Sequence, residues 1–433
     1  MRYVHIYSGT LECIIDTKGG SVMDLSEIDF KDIYAGNADE QPGRYEAAVR
    51  AFTENFGEGD GIEIYSAPGR TEILGNHTDH QHGEVLAASV NLDAIAVVRK
   101  TSGDTVRVIS GSGPVITISD LSKKEDEKGT TGALIKGMIS TLKDGGFTVG
   151  GFDAYITSDV IIGAGLSSSA AFETLIGTVI SGLYNDMRID PVIIAKAGQK
   201  AENVFFGKPC GLMDQMACSI GNMVHIDFRD PSEPVTEKIG FDFDMTGYSL
   251  CITDTKGSHS DLTHEYAAVP QEMKEIARLL GHDVLRSVTL DDILDNITEL
   301  RGKAGDRAVL RAIHFEEENA RVAKGVKALK ENDLKKFLDM VRDSGNSSFK
   351  YLQNVYTSSD VRNQNVSIAL AVSDSVLTDG ECSRVHGGGF AGTIQAFVKN
   401  ENTDKYRLAM DKVFGDGSCR ILKIRKYGGI KVI

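Results

Sequence analysis

Between residues 69 and 83 the chain reads GRTEILGNHTDHQHG, which packs Arg70, Glu72, Asn76, His77, Asp79, His80 and His82 into one stretch without helical or strand periodicity. Side chains of these types suit a metal site, a solvated loop or a pocket that holds a polar substrate. A zinc site from His77, His80 and His82 would need oriented ligands and a supporting shell of hydrogen bonds, neither visible in the sequence. GAGLSSSAA, 163–171, offers different chemistry. Gly163 and Gly165 permit backbone angles closed to other residues, Ser167, Ser168 and Ser169 sit where hydroxyls help start a helix, and a helix start presents N–H groups and positive dipole to phosphate. No Gly-Lys-Ser/Thr follows, so this is not a Walker loop. A dinucleotide fingerprint is the rival reading, with Asp186 about twenty residues on, but Ser168 stands in the third glycine's place. A plain N-cap with no ligand is the other.

GGGFAG, 387–392, is a second loop stripped of side chains, as needed where two backbones and a ligand approach closely. In ENVFFGKPCGLMDQ, Glu202 ends a helical stretch and Asp214 lies among Leu212, Met213 and Met216. A carboxylate there is costly unless something compensates it, or it caps a helix.

These motifs need elements to hold them. RYEAAVRAFTENFG, 44–57, has helical periodicity, and GIEIYSAPGR and GEVLAASVNLDAIAVVRK read as strands on either side of the polar stretch, which is therefore a loop between strands. GGFDAYITSDV is a strand leading through the glycine and serine turn into a helix of good formers. DPSEPVTEKIG, from 232, has the composition of a connection, and helical patterns follow over 264–281, 306–330 and 333–344 before the strands IQAFVKN and CRILKIRK. We divide the chain into a peripheral extension, 1–43, an N-terminal domain, 44–235, and a C-terminal domain, 236–433, of α+β class.

Composition limits the partners. A net charge of −15, from 47 Lys plus Arg against 62 Asp plus Glu, argues against a general affinity for nucleic acid or anionic membrane. Cysteines at 13, 210, 218, 251, 382 and 419 are too scattered for a zinc knuckle or redox dithiol, and no apolar leader or span stands out. A cytoplasmic monomer that acts on small molecules is the expectation.

APGRTEILGNHTDH resembles the galactokinase signature, usually Gly-Arg-x-Asn-x-x-Gly-Glu-His-x-Asp-Tyr, and GAGLSSSAA and GGGFAG resemble the other two motifs of the wider GHMP kinase superfamily. AENVFFGKPCGLMDQ is similar to the galactokinase stretch with the catalytic Asp, and SHSDLTHEY to the segment with a sugar-binding Tyr. The resemblance runs in order from about residue 44 to the C-terminus. It implies a two-lobed GHMP-kinase fold with the site in the cleft: a mixed sheet with helices in the N-terminal lobe, an antiparallel sheet with helices in the C-terminal lobe. It also implies phosphorylation of an aldose, galactose first, at its C1 hydroxyl by ATP with Mg²⁺. Asp214 and Arg70 match the catalytic pair. Asn76, His77, Asp79, Gly211 and Tyr266 match sugar-binding positions, while Gly163, Ala164, Gly165, Leu166, Ser167, Ser168 and Ser169, with Gly388 and Gly389, match the nucleotide site. Ser169 and Glu202 match the Mg²⁺ ligands.

The chain departs from the pattern on the sugar side. The usual Glu before His is Asn76, the usual Asn is Glu72, and the Tyr after Asp is His80. A neutral amide either donates or accepts, so galacturonate, an amino sugar such as N-acetylgalactosamine, or arabinose is a credible alternative to galactose. In the last motif Ala391, Gly392 and Thr393 replace Gly-Gly-Cys. A non-catalytic sugar sensor is the rival class, disfavoured by the whole GLSSSAA; a kinase for an apolar alcohol lacks the apolar walls it would need in 69–83.

Overall fold

The structure, a computed structural model, describes residues 24–161, 163, 165–257 and 262–433. β1 (Ile62–Leu74) and β2 (Glu84–Lys100) form its longest antiparallel pair, with register shifts at Pro68/Arg70 and Glu72/Leu74. Proline has no N–H to donate to a ladder, and the strand passes Pro68 by an irregularity in register. The first half of the polar stretch is therefore strand, and only 75–83 is the turn, built around the 3₁₀ segment Asp79–Gln81.

β3 (Val106–Ser110), β4 (Ile116–Ile118) and β5 (Phe152–Ser158) extend this sheet to the order β12-β1-β2-β5-β3-β4, where β12 is Ile430–Lys431. β3 pairs β5 in parallel; the other pairs are antiparallel. β6 (Met223–Asp227) pairs the first half of β2, and β7 (Val235–Ile239) pairs β6. Strands β7 and β12 thus join the first sheet from within or beyond the connection placed after 232. The helices Thr131–Asp144, Ser168–Asn185 and Pro191–Lys200 lay Met138, Ile176, Val179 and Ala197 against Ala96, Val108 and Ile156 of this sheet.

The second sheet takes β8 (Tyr248–Asp254), β9 (Cys382–His386), β10 (Thr393–Lys399) and β11 (Cys419–Leu422) in the antiparallel order β11-β8-β10-β9. Helices Asn365–Val376 and Thr403–Phe414 contribute Val366, Ala369, Tyr406 and Met410 to the core on one of its faces. The other core is shared between lobes: Ile73 and Leu86 of the first sheet cluster with Leu250, Phe337, Val341 and Phe397. Continuous apolar packing of this kind fixes one lobe against the other. Among the described residues no helix is long and apolar enough to cross a membrane.

Residues 24–40, part of the segment read as a peripheral extension, pack closely against the N-terminal lobe. Their short turns bury Leu25, Ile33 and Tyr34, and the following helix, Gln41–Phe56, begins three residues before the predicted 44. Asp93 of β2 draws them in. Its buried carboxylate accepts from Tyr34 Oη at 2.5 Å, from Ser66 Oγ, from Arg44 Nη1 at 2.5 Å and from Arg425 Nη1 at 2.8 Å. One ion thereby ties the N-terminal segment, the first helix and the returning C-terminal chain to the sheet. Burial opposes its charge, but the two guanidinium groups outweigh burial and hold the carboxyl below its usual range. The Asp93→Asn chain should lose on the order of 3–5 kcal/mol, because two arginines would face a neutral group in a dry site. Tyr34→Phe should cost about 1 kcal/mol. Urea unfolding checks both, and equal small losses would show that the cluster does not hold the lobe. The Asp93 contribution is present above about pH 4 and drains away as pH falls through the lowered folded value.

Candidate active site

Arg70 leaves β1 at the first register shift, where the backbone is already pressed against the 163–169 turn. Its amide donates to Leu166 O at 3.1 Å, and a Cβ on the preceding Gly69 would lie 2.8 Å from that same oxygen. The guanidinium grips Asp214 at two points, a hydrogen bond from Nε to Oδ1 at 2.8 Å and an ion-pair contact of Nη2 with Oδ2 at 2.7 Å, and donates through Nη1 to Gly165 O. Burial works against the Arg70 charge, but Asp214 outweighs it and raises the guanidinium pKa, so the group stays cationic. The Arg70 side chain is 7% exposed and that of Asp214 35%, so the carboxylate keeps an open side.

The glycine and serine turn meets this pair directly. Gly163, Gly165 and Ser167 have φ of 81°, 68° and 55°, the left-handed region that the two glycines enter without cost. Ser167 makes no capping bond to the helix Ser168–Asn185 that it precedes; its hydroxyl donates to Asp214 Oδ2. Leu166 is buried in the inter-lobe core and anchors the turn. Ser168 opens the helix. Ala164 lies outside the described residues, as do the first four residues of SHSDLTHEY.

Ser169 Oγ donates to Glu202 Oε1 at 3.3 Å. Glu202 sits in the π-helical turn Ala201–Phe206, accepts from Lys208 Nζ on the same oxygen at 3.2 Å, and is held at Oε2 by Gln215 Nε2 at 3.1 Å. A hydroxyl and a carboxylate in contact with an ammonium are hard oxygen donors at a spot that accepts positive charge, which fits Mg²⁺. Gln215 also donates to Glu173 at 3.0 Å. Burial, then the neighbouring Glu202 charge, pushes the Glu173 carboxyl up to about 9, so it is neutral at pH 7.

On the other side of Asp214, a Cβ on Gly211 would lie 2.2 Å from Asp79 Oδ2, so glycine there makes room for the Asp79 carboxylate. Asp79 Oδ1 accepts from the His80 amide at 2.9 Å. His77, at φ 61°, donates from Nε2 to Gly388 O at 3.0 Å; burial lowers its pKa to about 4, which leaves Nδ1 as an acceptor. Tyr266 Oη donates to Gly389 O at 2.5 Å, and its ring lies where a Cβ on Gly388 would go. Among the described residues no three His, Cys, Asp or Glu side chains are grouped to hold a metal ion.

Asn76, which the resemblance matches to a sugar-binding position, turns its side chain into the protein. It is fully buried, and its side chain is used up within the protein: Nδ2 donates to Glu72 Oε1 at 3.0 Å and to Gly387 O at 2.7 Å, while Oδ1 accepts from Asn354 Nδ2 at 2.8 Å and Ser348 Oγ at 3.2 Å. An amide has two donors and two acceptor positions, and all four are filled. The ion lost at 76 stands at Glu72, paired with Arg384 Nη2 at 2.8 Å. Sequence reading also missed Glu173, Gln215 and Lys208, whose roles depend on contacts from distant elements. It missed the Ser167 contact with Asp214 as well, having Ser167 only as a hydroxyl that helps start a helix.

Residues 50–100 match the galactokinase galactose-binding signature and residues 133–222 the N-terminal domain of GHMP kinases. Galactokinase of Streptomyces coelicolor is 30% identical over 389 residues, spanning 88% of this chain and 96% of the relative. That of Clostridium tetani is 29% identical over 364 residues, 83% and 89% of the two chains. The crystal structure of Lactococcus lactis galactokinase complexed with galactose superposes with a TM-score of 0.77 at 24% identity, covering 90% of this chain and all of that one; a mevalonate kinase superposes at 0.57 and 16%, covering 84% and 99%. Four motifs brought to one cleft and a relative alike along nearly its whole length have one explanation: the chain belongs to the galactokinase family.

Proposed function

We propose that the protein transfers the γ-phosphoryl group of ATP to the C1 hydroxyl of galactose, giving galactose 1-phosphate and ADP. The observation that carries this is the Arg70 and Asp214 pair, bonded at once to each other and to Gly165 and Ser167 of the phosphate turn. Phosphoryl transfer asks for in-line placement and for charge stabilisation more than for covalent chemistry. Asp214, open on one side, takes the C1 hydroxyl proton as the oxygen attacks phosphorus, and Arg70 stabilises the charge that grows between the two substrates. Asp79, His77 and Tyr266 are read as the sugar side of the cleft, with Gly211 making room. The turn 163–169 is read as the phosphate side, and Gly388 and Gly389 close the wall between them. Ser169 and Glu202 would hold Mg²⁺, which offsets phosphate charge when bound. A cytoplasmic monomer remains our reading of its setting, supported by the acidic composition and by the five free cysteines among the described residues.

The case for another sugar rested on an amide at 76 that faces the substrate. With Asn76 saturated inside the protein, that support is gone. Asn76→Glu should bury an unpaired charge against Gly387 O, costing on the order of 3 kcal/mol in stability. It should lower kcat/KM for galactose and galacturonate alike; a selective change in their ratio would return position 76 to the sugar pocket.

A coupled ADP-release assay over galactose, galacturonate, N-acetylgalactosamine, glucose and arabinose tests the activity, with galactose expected to give the highest kcat/KM. Asp214→Asn should lower kcat by on the order of 10²–10⁴ and also lower the unfolding midpoint, because the buried Arg70 guanidinium would face a neutral group; turnover is therefore compared at a temperature where both chains are folded. Sugar-dependent stabilisation without ADP release from the parent chain would point to a sensor instead.

A further inference from the structure

His386 ends β9 between the two walls of the cleft and has none of the roles above. It is buried, with β1 on one side and β10 on the other. Nε2 lies 3.1 Å from Thr71 Oγ1 and 3.4 Å from the Glu72 amide nitrogen; Nδ1 lies 3.0 Å from Thr393 Oγ1. These contacts decide which nitrogen carries the hydrogen. Hydroxyls rotate and side-chain amides can be turned over, but a backbone N–H has a fixed direction. The Glu72 N–H points at Nε2, so Nε2 is an acceptor. Thr71, whose oxygen already accepts from Gln395 Nε2 at 2.5 Å, directs its own hydrogen there as well. Nδ1 therefore bears the hydrogen and donates to Thr393. Burial, followed by the Arg70 and Arg384 charges, holds the imidazole well below the ordinary histidine range, and the Glu72 carboxylate is turned towards Arg384 and Asn76.

Each end of the ring touches a working part. Thr71 follows Arg70 in β1. Thr393 opens β10 and fills the space beside the phosphate turn: a Cβ on Gly165 would lie 2.7 Å from Thr393 Oγ1 and 2.9 Å from His386 Nδ1. Gly165 O in turn accepts from Arg70. Arg70, Thr71, His386, Thr393 and Gly165 thus lie in one run of neighbours, bonded from Thr71 through His386 to Thr393 and closely packed at Gly165, and the imidazole bridges β1 and β10 beside the direct Gln395–Thr71 bond.

We propose that His386, as the Nδ1–H tautomer, is a positioning residue that sets the spacing between Arg70 and the phosphate turn. What that spacing accomplishes rests on the kinase reading; the tautomer does not. Long-range ¹H–¹⁵N NMR on the full chain with ¹⁵N-histidine, assigned by subtraction of His386→Gln, should show His386 protonated at Nδ1 alone and unchanged between pH 5.5 and about 8. An Nε2–H tautomer, or titration within that window, overturns the proposal. Thr393→Val keeps the side-chain shape but removes the acceptor; it should lower kcat about 10- to 100-fold with the KM for galactose within about two-fold of the parent, and Thr393→Ser should restore most of the rate. A Thr393→Val kcat equal to the parent, or a Ser variant as slow as Val, also overturns it. A parent chain that turns over no aldose defeats the kinase reading by itself, and the NMR result still decides His386.

Discussion

The two-point grip of Arg70 on Asp214 is the constraint around which the rest of the cleft is arranged. A guanidinium almost closed off from water and a carboxylate on another element hold each other only if both backbones are fixed to within a fraction of an ångström. β1 supplies one side, through a strand that shifts register at Pro68 and so turns Arg70 towards the 163–169 turn. The first turn of the helix Met213–Ile220 supplies the other. Desolvating these charges is expensive, and their mutual attraction is weak evidence for stability. In the mechanism we propose, it holds a charged pair ready for proton transfer and negative charge without reorganisation at the moment of reaction.

Buried polar groups behind the pair do the positioning. Glu72 and Asn76 stand where the family pattern has Asn and Glu, which amounts to an exchange of acid and amide between two residues that are bonded to each other at 3.0 Å. Moving the ion four residues back along the chain removes it from the turn and gives it to Arg384, whose guanidinium also reaches Ile73 O and Val385 O. Burial raises the Glu72 carboxyl more than Arg384 and Arg70 lower it, so this ion pair is no strong source of stability. Its effect is directional: it locks β1 to β9, and the freed amide at 76 joins the turn to Gly387, Asn354 and Ser348. The helix Asp306–Lys330 secures the same turn, since Glu318 Oε1 accepts from the Gly75 amide at 2.9 Å and His314 Nε2 lies 3.0 Å from Asn76 O.

What the sequence disclosed depended on whether a feature is local. The long helices after 260 and the strands on either side of 69–83 announce themselves by period, because a helix or strand that buries one face must repeat its apolar residues. Motifs held within a dozen residues, GAGLSSSAA above all, were equally plain. Residues 24–40 were not, because their burial rests on single residues such as Tyr34, attached to a carboxylate about sixty positions on, and no window of sequence contains both. The setting of Asn76 was hidden for a related reason: its type and spacing are compatible with a sugar ligand, and its bonds to Asn354 and Gly387, far along the chain, are not legible locally. Glu173 carries no local sign of being a neutral acid, since the charge that makes it so belongs to Glu202.

The same distinction revises what the glycines mean. Read from sequence, Gly388 and Gly389 suggest a loop bared for a ligand, and Gly211 matches a sugar-binding position. In the fold each is small because a side chain or backbone of the protein already occupies the space: Tyr266 beside Gly388, the Asn354 carbonyl beside Gly389, Asp79 beside Gly211, and Thr393 with His386 beside Gly165. A methyl group at any of them would push on a residue of the cleft rather than into empty space. The loop carbonyls of Gly387, Gly388 and Gly389 are likewise taken by Asn76, His77 and Tyr266. Close approach between sugar-side residues and the glycine loop therefore makes one wall from two lobes. It follows that movement of the 387–389 loop is tied to the 75–83 turn, since displacing one without the other breaks the hydrogen bonds to Asn76 and His77; under the proposed function, sugar and nucleotide then share one rigid frame.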